Sequence, residues 1–342
     1  MKKASIQRWI SVFLLALAVI LGIVLHIRQT NFIWYWIFGL GFGFVLQHFQ
    51  ICFVSATSEP FITNSTEKFR ALLIGILVSS LGITAIKYLS DGTYDMLGVS
   101  AISLPLVLGA FLFGIGMIFA GCCSSGMYIR FAEGYIIHLV TFICVIAGYL
   151  IANYGYSRTW APHVAKAPII FLPHRLGWIG GVATHLMIIL LLYWAARRRE
   201  RNISASDSTL YLKGSILMGV FNILHYIVFD SGWSITGAFH IFIDNNSVTI
   251  AHNIRNLGLL MGALIAVLLC ANFKFKKIRS AKQVIFTIIG GLFMGYGARI
   301  AGGCNINAFF NATSSLSLSG WIFMIFLFAG TYVGMKIMYI LM

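Results

Sequence analysis

The segment Gly114–Cys123, which reads GIGMIFAGCC, recurs later in the chain as Gly295–Cys304, which reads GYGARIAGGC. Both copies match the pattern GxGxxxAGxC, and one offset of 181 residues aligns them. Each copy ends an apolar run and is followed by small or polar residues, beginning with Ser124 in the first copy and Asn305 in the second. An apolar run that turns to Gly-Cys and then to polar residues indicates a helix whose end faces a cavity. The pattern therefore predicts an internal repeat with two such helix ends.

The composition of the whole chain indicates an integral membrane protein. Of 342 residues, 59% are apolar and only 10% are charged, and the mean hydropathy is +0.90. Apolar stretches long enough to cross about 30 Å of hydrocarbon recur along the whole length. They cover residues 9–26, 32–54, 71–89, 103–120, 135–154, 177–194, 212–229, 257–273, 284–300 and 321–340. We therefore predict an all-α polytopic membrane protein without a soluble domain.

The formal net charge of +15 follows membrane topology and is not the footprint of a nucleic-acid partner. If the spans alternate from a cytoplasmic N-terminus, most of the 24 Lys and Arg residues fall on the inner side. This positive-inside bias is typical of inner-membrane proteins. The clustered residues are Lys2, Lys3, Arg8, Arg197, Arg198, Arg199, Arg201, Lys274, Lys276, Lys277, Arg279 and Lys282. We predict a bacterial inner-membrane protein with both termini in the cytoplasm.

The basic run at 195–211 is the one clear break in composition, and it divides a single membrane domain into residues 1–196 and 197–342. The first copy of the repeat covers about 9–154, and the second begins with the sixth span at about 177. Because each copy has five spans, an odd number, the second copy must enter the membrane in the opposite sense. An inverted repeat of this kind places substrate near the midplane, often at interrupted helices. The loops at 155–176 and 231–256 would lie outside.

A fainter internal match aligns the second spans of the two copies. Residues 41–52 correspond to residues 219–230 at an offset of 178, which places Cys52 opposite Asp230. Cys123 and Cys304 also correspond. Of the four positions in these two matches, three would therefore be cysteines and the fourth would be Asp230.

The six cysteines fall into two groups. A lone Cys in a membrane helix is most often a small apolar filler, and this is our interpretation of Cys144 and Cys270. Cys123 and Cys304 recur after glycines, where irregular backbone must pack in protein or line a wet cavity. Cys52 lies among polar residues that are costly to bury, so it joins them as a pathway candidate. A vicinal pair of Cys122 with Cys123, a metal site and a disulfide scaffold are weaker interpretations, because CxxC and HxxxH spacings are missing.

A few charged residues lie in or beside the predicted spans, where charge usually marks function. They are Arg130, Asp230, Arg255 and Arg299. Two interpretations of Arg299 stay open, since it could attract an anion or pair with Asp230.

Three stretches resemble the YeeE/YedE family of bacterial membrane proteins, the thiosulfate-uptake transporters. They read GFVLQHFQICFVSA, AGCCSSGMYIRFAEGY and ARIAGGCNINAFF, and the likeness covers roughly residues 36–340. The resemblance implies two inverted halves, with short re-entrant helices and loops that meet at a central constriction. It also implies that the thiols of Cys52, Cys123 and Cys304 line this constriction, and that a small cytosolic sulfurtransferase acts downstream. This chain departs from the family by having Gln50 instead of Arg, and Cys122 instead of Gly.

The resemblance and the chemistry of sulfur together predict a transporter. Thiosulfate is a dianion with a soft terminal sulfur, and neutral thiols can donate hydrogen bonds to it without repelling its charge. Further residues that could line the pathway are Gln50, Ser124, Arg299, Asn305 and Asp230. We expect no catalytic residue, cofactor or metal. The alternatives are a membrane thiol oxidoreductase, and a transporter of a selenium compound or another sulfur oxyanion.

Overall fold

The computed structural model describes residues 2–28, 30–90, 92–200, 208–278 and 280–341. Arg201 and Arg279, two members of the predicted inner-side clusters, lie outside these residues. Within the described part of the chain, ten helical segments are long and apolar enough to cross a membrane. The predicted all-α polytopic membrane protein is confirmed.

Fourteen α-helices make up most of the described chain, joined by one 3₁₀-helix at Thr236–Phe242 and one π-helical turn at Asn307–Ala312. In chain order the α-helices are α1 (Lys2–Arg28), α2 (Thr30–His48), α3 (Phe53–Ile62), α4 (Glu67–Leu89), α5 (Leu104–Ala120), α6 (Ser124–Ala132), α7 (Ile137–Tyr154), α8 (Tyr156–Thr159), α9 (Ala161–Ala165), α10 (Leu172–Arg199), α11 (Ser208–Phe229), α12 (Ser247–Leu269), α13 (Ala281–Ile300) and α14 (Leu318–Leu341).

Two of the ten spans are helices broken by a non-helical segment, and α10 is kinked at Gly177, whose φ is 72°. Helices α2 and α3 together form the span Phe32–Ile62, and α5 and α6 form the span Leu104–Ala132. In each, a short non-helical segment separates a long helix from a short one. Helix α13 is likewise followed by the π-helical turn, and α11 by the 3₁₀-helix.

The long helices pack in pairs that match between the two halves. Helix α2 packs along α12, and α4 packs along α11. Helix α7 packs along α13, and α14 along α5. Suppose that α2 corresponds to α11, α4 to α12, α5 to α13, and α7 to α14. The pair α2–α12 then corresponds to the pair α11–α4, and the pair α7–α13 corresponds to the pair α14–α5.

Helices α5 and α13 cross each other at four glycines. A Cβ added at Gly109 would lie 2.5 Å from the carbonyl oxygen of Gly297, and one at Gly297 would lie 2.5 Å from that of Gly109. A Cβ added at Gly116 would likewise lie 2.6 Å from the carbonyl oxygen of Gly290, and one at Gly290 would lie 2.7 Å from that of Gly116. The order of these contacts shows that the helices run antiparallel. Only glycine lets two backbones approach so closely.

Helix α12 begins well before residue 257, where the hydropathy pattern predicts the eighth span to begin. Asn246 caps it, since Asn246 Oδ1 accepts the Thr249 N–H at 2.9 Å and Thr249 Oγ1 accepts the Asn246 N–H at 3.2 Å. This capping box starts a helix through polar sequence that a hydropathy window excludes. Arg255 is therefore inside a helix and not in an outer loop.

Candidate functional site

Cys52, Cys123 and Cys304 occupy the same position in local structure, immediately before a helical segment. Cys52 precedes α3, Cys123 precedes α6, and Cys304 precedes the helical turn that begins at Asn305. The three cysteine carbonyls accept hydrogen bonds from the amides of Ala56 (3.0 Å), Met127 (2.9 Å) and Ala308 (3.0 Å), respectively. Each of these three cysteines thus occupies the N-cap position of a helical segment.

The first turn of a helix has amide N–H groups without intrahelical partners, so this end carries partial positive charge and attracts anions. The Cys123 thiol makes direct use of one such group, since its Sγ accepts the N–H of Gly126 at 3.3 Å. It also lies 3.3 Å from the hydroxyl of Ser125. The cysteines are therefore positioned where an anion would be stabilised by backbone dipoles.

The repeated glycine of the AGxC motif explains why both long helices end before their cysteine. Gly121 has φ 67° and Gly302 has φ 78°, and they are related by the repeat offset. A residue with a side chain is strained in this left-handed region, whereas glycine is not. The chain turns at these glycines and begins a new helical segment after the cysteine.

The two copies of the motif meet directly at the residues that follow their cysteines. Ser124 Oγ donates a hydrogen bond to Asn305 Oδ1 at 3.3 Å, and these two residues are separated by the repeat offset of 181. Both are fully buried. The helix N-termini that carry Cys123 and Cys304 therefore share one buried region.

Cys52 lies close to the same region. It lines one cavity together with Gly126, the residue whose N–H donates to the sulfur of Cys123. The next residue, Phe53, places its ring 5.9 Å from that of Phe309 and 6.2 Å from that of Phe310, centroid to centroid. These two phenylalanines belong to the π-helical turn after Cys304. The structure thus brings together three cysteines that are far apart in sequence.

Cys52 also opens onto a polar cavity of about 170 Å³. Gln50 lines this cavity, together with Lys68 and Arg130, whose charges interact electrostatically with Cys52. Lys68 contacts Glu59 at 2.5 Å, and Arg130 Nη1 contacts Glu133 Oε2 at 3.0 Å. Although Gln50 is uncharged, two other elements therefore bring cations to the first cysteine.

Arg299 and Asp230 do not pair with each other. Arg299 Nε donates to Asn153 Oδ1 at 2.9 Å, and its guanidinium lies 3.8 Å from the ring centroid of Tyr156. Asp230 is exposed, and its carboxylate hydrogen-bonds the Tyr94 hydroxyl and so raises the pKa of that phenol. The interpretation of Arg299 as the partner of Asp230 is wrong, because Arg299 binds Asn153 and Asp230 binds Tyr94.

Of the remaining cysteines, Cys122 is next to Cys123, whereas Cys144 and Cys270 lie elsewhere, and all six cysteines are free thiols. Cys122 is buried and faces the hydroxyl of Thr141 on α7. Cys144 packs against Gly291 between α7 and α13, and Cys270 is exposed at the end of α12. Among the described residues, no group of three or more His, Cys, Asp and Glu side chains could hold a metal ion.

Sequence reasoning left three polar residues off the list of candidate pathway residues. Lys68 and Tyr211 line the cavity at Cys52, although neither is near it in sequence. Arg255 is fully buried, and its guanidinium lies 4.7 Å from the centroid of the Trp233 ring. In the sequence, the one feature that points to Arg255 is its charge close to an apolar stretch.

Ten membrane-crossing segments around a buried centre, with broken helices that point their N-termini at it, are the features of a multi-pass membrane transporter. The family model described as "Sulphur transport" matches residues 48–333, and the chain belongs to this family.

Named relatives are similar to this chain over most of its length. The thiosulfate transporter TsuA of Spirochaeta thermophila is 26% identical over 321 residues, which cover 86% of this chain and 95% of that protein. The thiosulfate transporter TsuA of Escherichia coli is 25% identical over 329 residues, which cover 87% and 92%. The probable transporter YedE of Escherichia coli is 32% identical over 171 residues, which cover 47% of this chain and 40% of that protein. The family and these relatives are named for transport.

Proposed function

We propose that this protein takes up thiosulfate across the bacterial inner membrane, through a constriction lined by the thiols of Cys52, Cys123 and Cys304. The observation that carries the proposal is the placement of all three cysteines at N-terminal ends of helical segments around one buried region. Two relatives named thiosulfate transporters, each covered over more than nine-tenths of its length, support the choice of substrate.

The proposed contacts suit the substrate on both of its faces. Neutral S–H groups donate weak hydrogen bonds to the terminal sulfur, while helix N-termini supply positive potential for the sulfonate oxygens. Neither contact adds a full charge to the constriction. Binding strong enough for entry but weak enough for release is what conduction requires.

The burial of the three thiols suggests an order of passage. Cys304 is fully buried, Cys123 is 1% exposed, and Cys52 is half-buried beside the polar cavity. By the predicted topology this cavity faces the cytoplasm, because it contains the beginning of α4 and the end of α6. Thiosulfate would pass from Cys304 to Cys123 to Cys52 and leave beside Lys68 and Arg130.

The matched helix pairs support an inverted repeat as the basis of this constriction. The glycine contacts between α5 and α13 are related to each other by the repeat offset, and the helices run antiparallel. On this proposal, residues 1–196 and 197–342 form two halves of one membrane domain, joined by the basic segment.

Uptake into proteoliposomes tests the proposed function. Purified protein should accumulate thiosulfate inside vesicles, and a variant with Cys52, Cys123 and Cys304 all changed to Ala should not. Parallel assays with selenate, sulfate and sulfite identify the true substrate if it is a selenium compound or another sulfur oxyanion. Thiol oxidation without uptake of any anion would instead identify a membrane oxidoreductase and contradict the proposal.

A small cytosolic sulfurtransferase is the proposed recipient of the thiosulfate. The open inner cavity at Cys52 would release the ion where such an enzyme could consume it. Labelled sulfur from external thiosulfate should then enter cytosolic sulfur pools in cells that have the enzyme, and remain as thiosulfate in cells that lack it.

A further inference from the structure

Among the described residues, the fully buried cations Arg255 and Lys87 form no ion pair, and of the two only Arg255 has a donor without a partner. Arg255 on α12 is 0% exposed and is among the largest fully buried side chains. In the part of the chain that the structure describes, no Asp or Glu forms an ion pair with it. A buried guanidinium without an anionic partner is costly, and in a membrane protein it marks function by default.

The hydrogen bonds of Arg255 leave its charge in place. Its Nη1 lies 2.7 Å from His225 Nε2, and its Nη2 donates to the carbonyl oxygen of Ser234 at 3.1 Å. The Nδ1 of His225 lies 2.9 Å from the carbonyl oxygen of Ser231. A carbonyl can only accept, so Nδ1 carries the proton and Nε2 is the acceptor for Arg255. His225 is therefore neutral, and the Nε of Arg255 has no partner.

The other large buried cation shows how unusual this arrangement is. Lys87 is also 0% exposed, but its ammonium donates to three carbonyl oxygens, at Asp95 (2.9 Å), Leu97 (2.7 Å) and Ser315 (3.3 Å). All three N–H donors of its ammonium are used, so Lys87 has a structural role: it holds these three carbonyl groups together.

One further buried donor beside Arg255 also lacks a partner. The Nε1 of Trp233 has none, although the Trp233 ring lies 4.7 Å from the Arg255 guanidinium. The segment that carries Trp233 packs against the π-helical turn after Cys304, because a Cβ added at Gly232 would overlap the side chain of Asn311. Unpaired buried donors are rare in folded proteins because each one loses its hydration without replacement. A buried cation and an unpaired donor next to this turn form a site that an anion would complete.

We propose that Arg255 and Trp233 bind the oxygen atoms of a sulfur or selenium oxyanion next to the π-helical turn that follows Cys304. This deepens the proposed function and rests on it: Cys304 would contact the soft terminal atom, and the Arg255 subsite would hold the oxygens. Arg255 lies in the first half of α12, on the predicted outer side. The subsite is therefore the first selective step, where the ion exchanges its hydration for protein donors.

Binding measurements on purified protein test this inference. Calorimetric titration with thiosulfate, sulfate and selenate would be made on the wild type, Arg255→Gln, Arg255→Lys and Trp233→Phe. Arg255→Gln should raise the Kd of the bound anion at least tenfold, since hydrogen bonds to charged groups contribute about 1.5–3 kcal/mol. Arg255→Lys keeps the charge and should lose less affinity. Trp233→Phe should raise the Kd severalfold because it removes the N–H donor, while its loss of buried packing lowers only the unfolding temperature.

A matched control separates binding from support of the loop. Asn253 Nδ2 donates to the carbonyl oxygen of Ala238 at 2.8 Å, so it anchors the same 3₁₀ region without charge. Asn253→Ala should lower the unfolding temperature and leave the Kd within twofold. Unchanged Kd values in Arg255→Gln and Trp233→Phe, or an equal loss in Asn253→Ala, would overturn the inference. If the Arg255→Gln protein does not accumulate, the Kd values of Arg255→Lys and Trp233→Phe test the inference in its place.

The wild-type titrations distinguish this inference from the proposed function. Binding of selenate or sulfate but not thiosulfate would contradict thiosulfate uptake, and the Arg255 variants would then be judged on the anion that binds. A folded wild-type protein that binds none of the three anions would overturn the inference, since the subsite is defined by its affinity for an oxyanion.

Discussion

At the scale of single residues, the position of a cysteine within its helix separates the proposed functional thiols from the others. Cys52, Cys123 and Cys304 precede helical segments, whereas Cys144 is inside a helix and Cys270 follows one. A thiol before a helix lies in the positive potential of free amide groups. A thiol in mid-helix faces paired amides and serves only as packing volume.

Single substitutions should follow this division. Changing Cys52, Cys123 or Cys304 to Ala should reduce thiosulfate-dependent growth at least tenfold, because each removes one S–H donor from the constriction. Cys144→Ala and Cys270→Ala should support normal growth. Growth rate on thiosulfate as sole sulfur source is the measurement, with membrane accumulation checked by immunoblot. Normal growth of a variant that keeps only Cys144 and Cys270 would refute the thiol relay.

The conducting thiols should act as neutral donors and should not form covalent intermediates. A second negative charge beside a bound dianion in a buried site is disfavoured, and attack on thiosulfate would require a thiolate. Thiosulfate labelled at one sulfur should therefore arrive inside vesicles with both sulfurs still joined. Mass analysis of the vesicle contents and of the protein makes the measurement. Sulfite in the lumen with persulfide on Cys123 or Cys304 would point to an enzyme.

At the scale of elements, the centre of the molecule depends on the close crossing of α5 and α13. These helices carry the two copies of the motif, and their separation sets whether Ser124 can reach Asn305. Four glycines allow the approach, and each faces backbone of the other helix. Packing of this kind stabilises helix pairs in lipid, where no hydrophobic effect drives their association.

A methyl group in this crossing should separate the helices. In Gly297→Ala the new Cβ would lie 2.5 Å from the carbonyl oxygen of Gly109, and backbone cannot yield as a flexible side chain can. Overpacking of this size costs about 1–3 kcal/mol. We expect a lower unfolding temperature in detergent and little uptake. Gly22→Ala on α1 is the control, because its Cβ would meet Trp36 at an ordinary 3.5 Å. Equal stability of the two variants would be inconsistent with this crossing.

At the scale of the whole molecule, orientation in the membrane decides which end of the pathway is the entrance. The proposed order from Cys304 to Cys52 holds only if the polar cavity at Cys52 faces the cytoplasm. The basic residues at both ends of the connecting segment and before α13 favour this orientation, since cytoplasmic loops retain Lys and Arg. Arg197, Arg198 and Arg199 end α10 and are therefore at this face.

Reporter fusions test the orientation. Green fluorescent protein fused to the C-terminus should fluoresce, because the even number of spans returns the chain to the cytoplasm. Alkaline phosphatase fused there should be inactive, while a fusion truncated after Ala165 should be active. An active phosphatase both at the C-terminus and after Ala165 would show that one of the last five segments does not cross, and the inverted repeat would then have to be abandoned. An active enzyme at the C-terminus with an inactive one after Ala165 would instead reverse the orientation.

The sequence by itself determined the class of protein, the ten spans and the equivalence of Cys123 and Cys304. Hydropathy depends on runs of neighbouring residues, and the motif repeats within one chain, so neither requires knowledge of distant contacts. Cys52 was suggested by its polar neighbours and by the family resemblance. Its alignment with Asp230 has no structural counterpart: Asp230, with φ 48°, is matched by Gln50, with φ 50°, each just after a long helix.

Only the tertiary structure decided which polar groups meet. The Ser124–Asn305 hydrogen bond, the cations beside Cys52 and the unpaired guanidinium of Arg255 each join elements that are far apart in the chain. Whether a buried charge has a partner depends on the packing of helices around it, which no local pattern encodes. Arg299 and Arg255 look alike in sequence, and both contact only neutral groups, yet only Arg255 is fully buried with an Nε that lacks a partner.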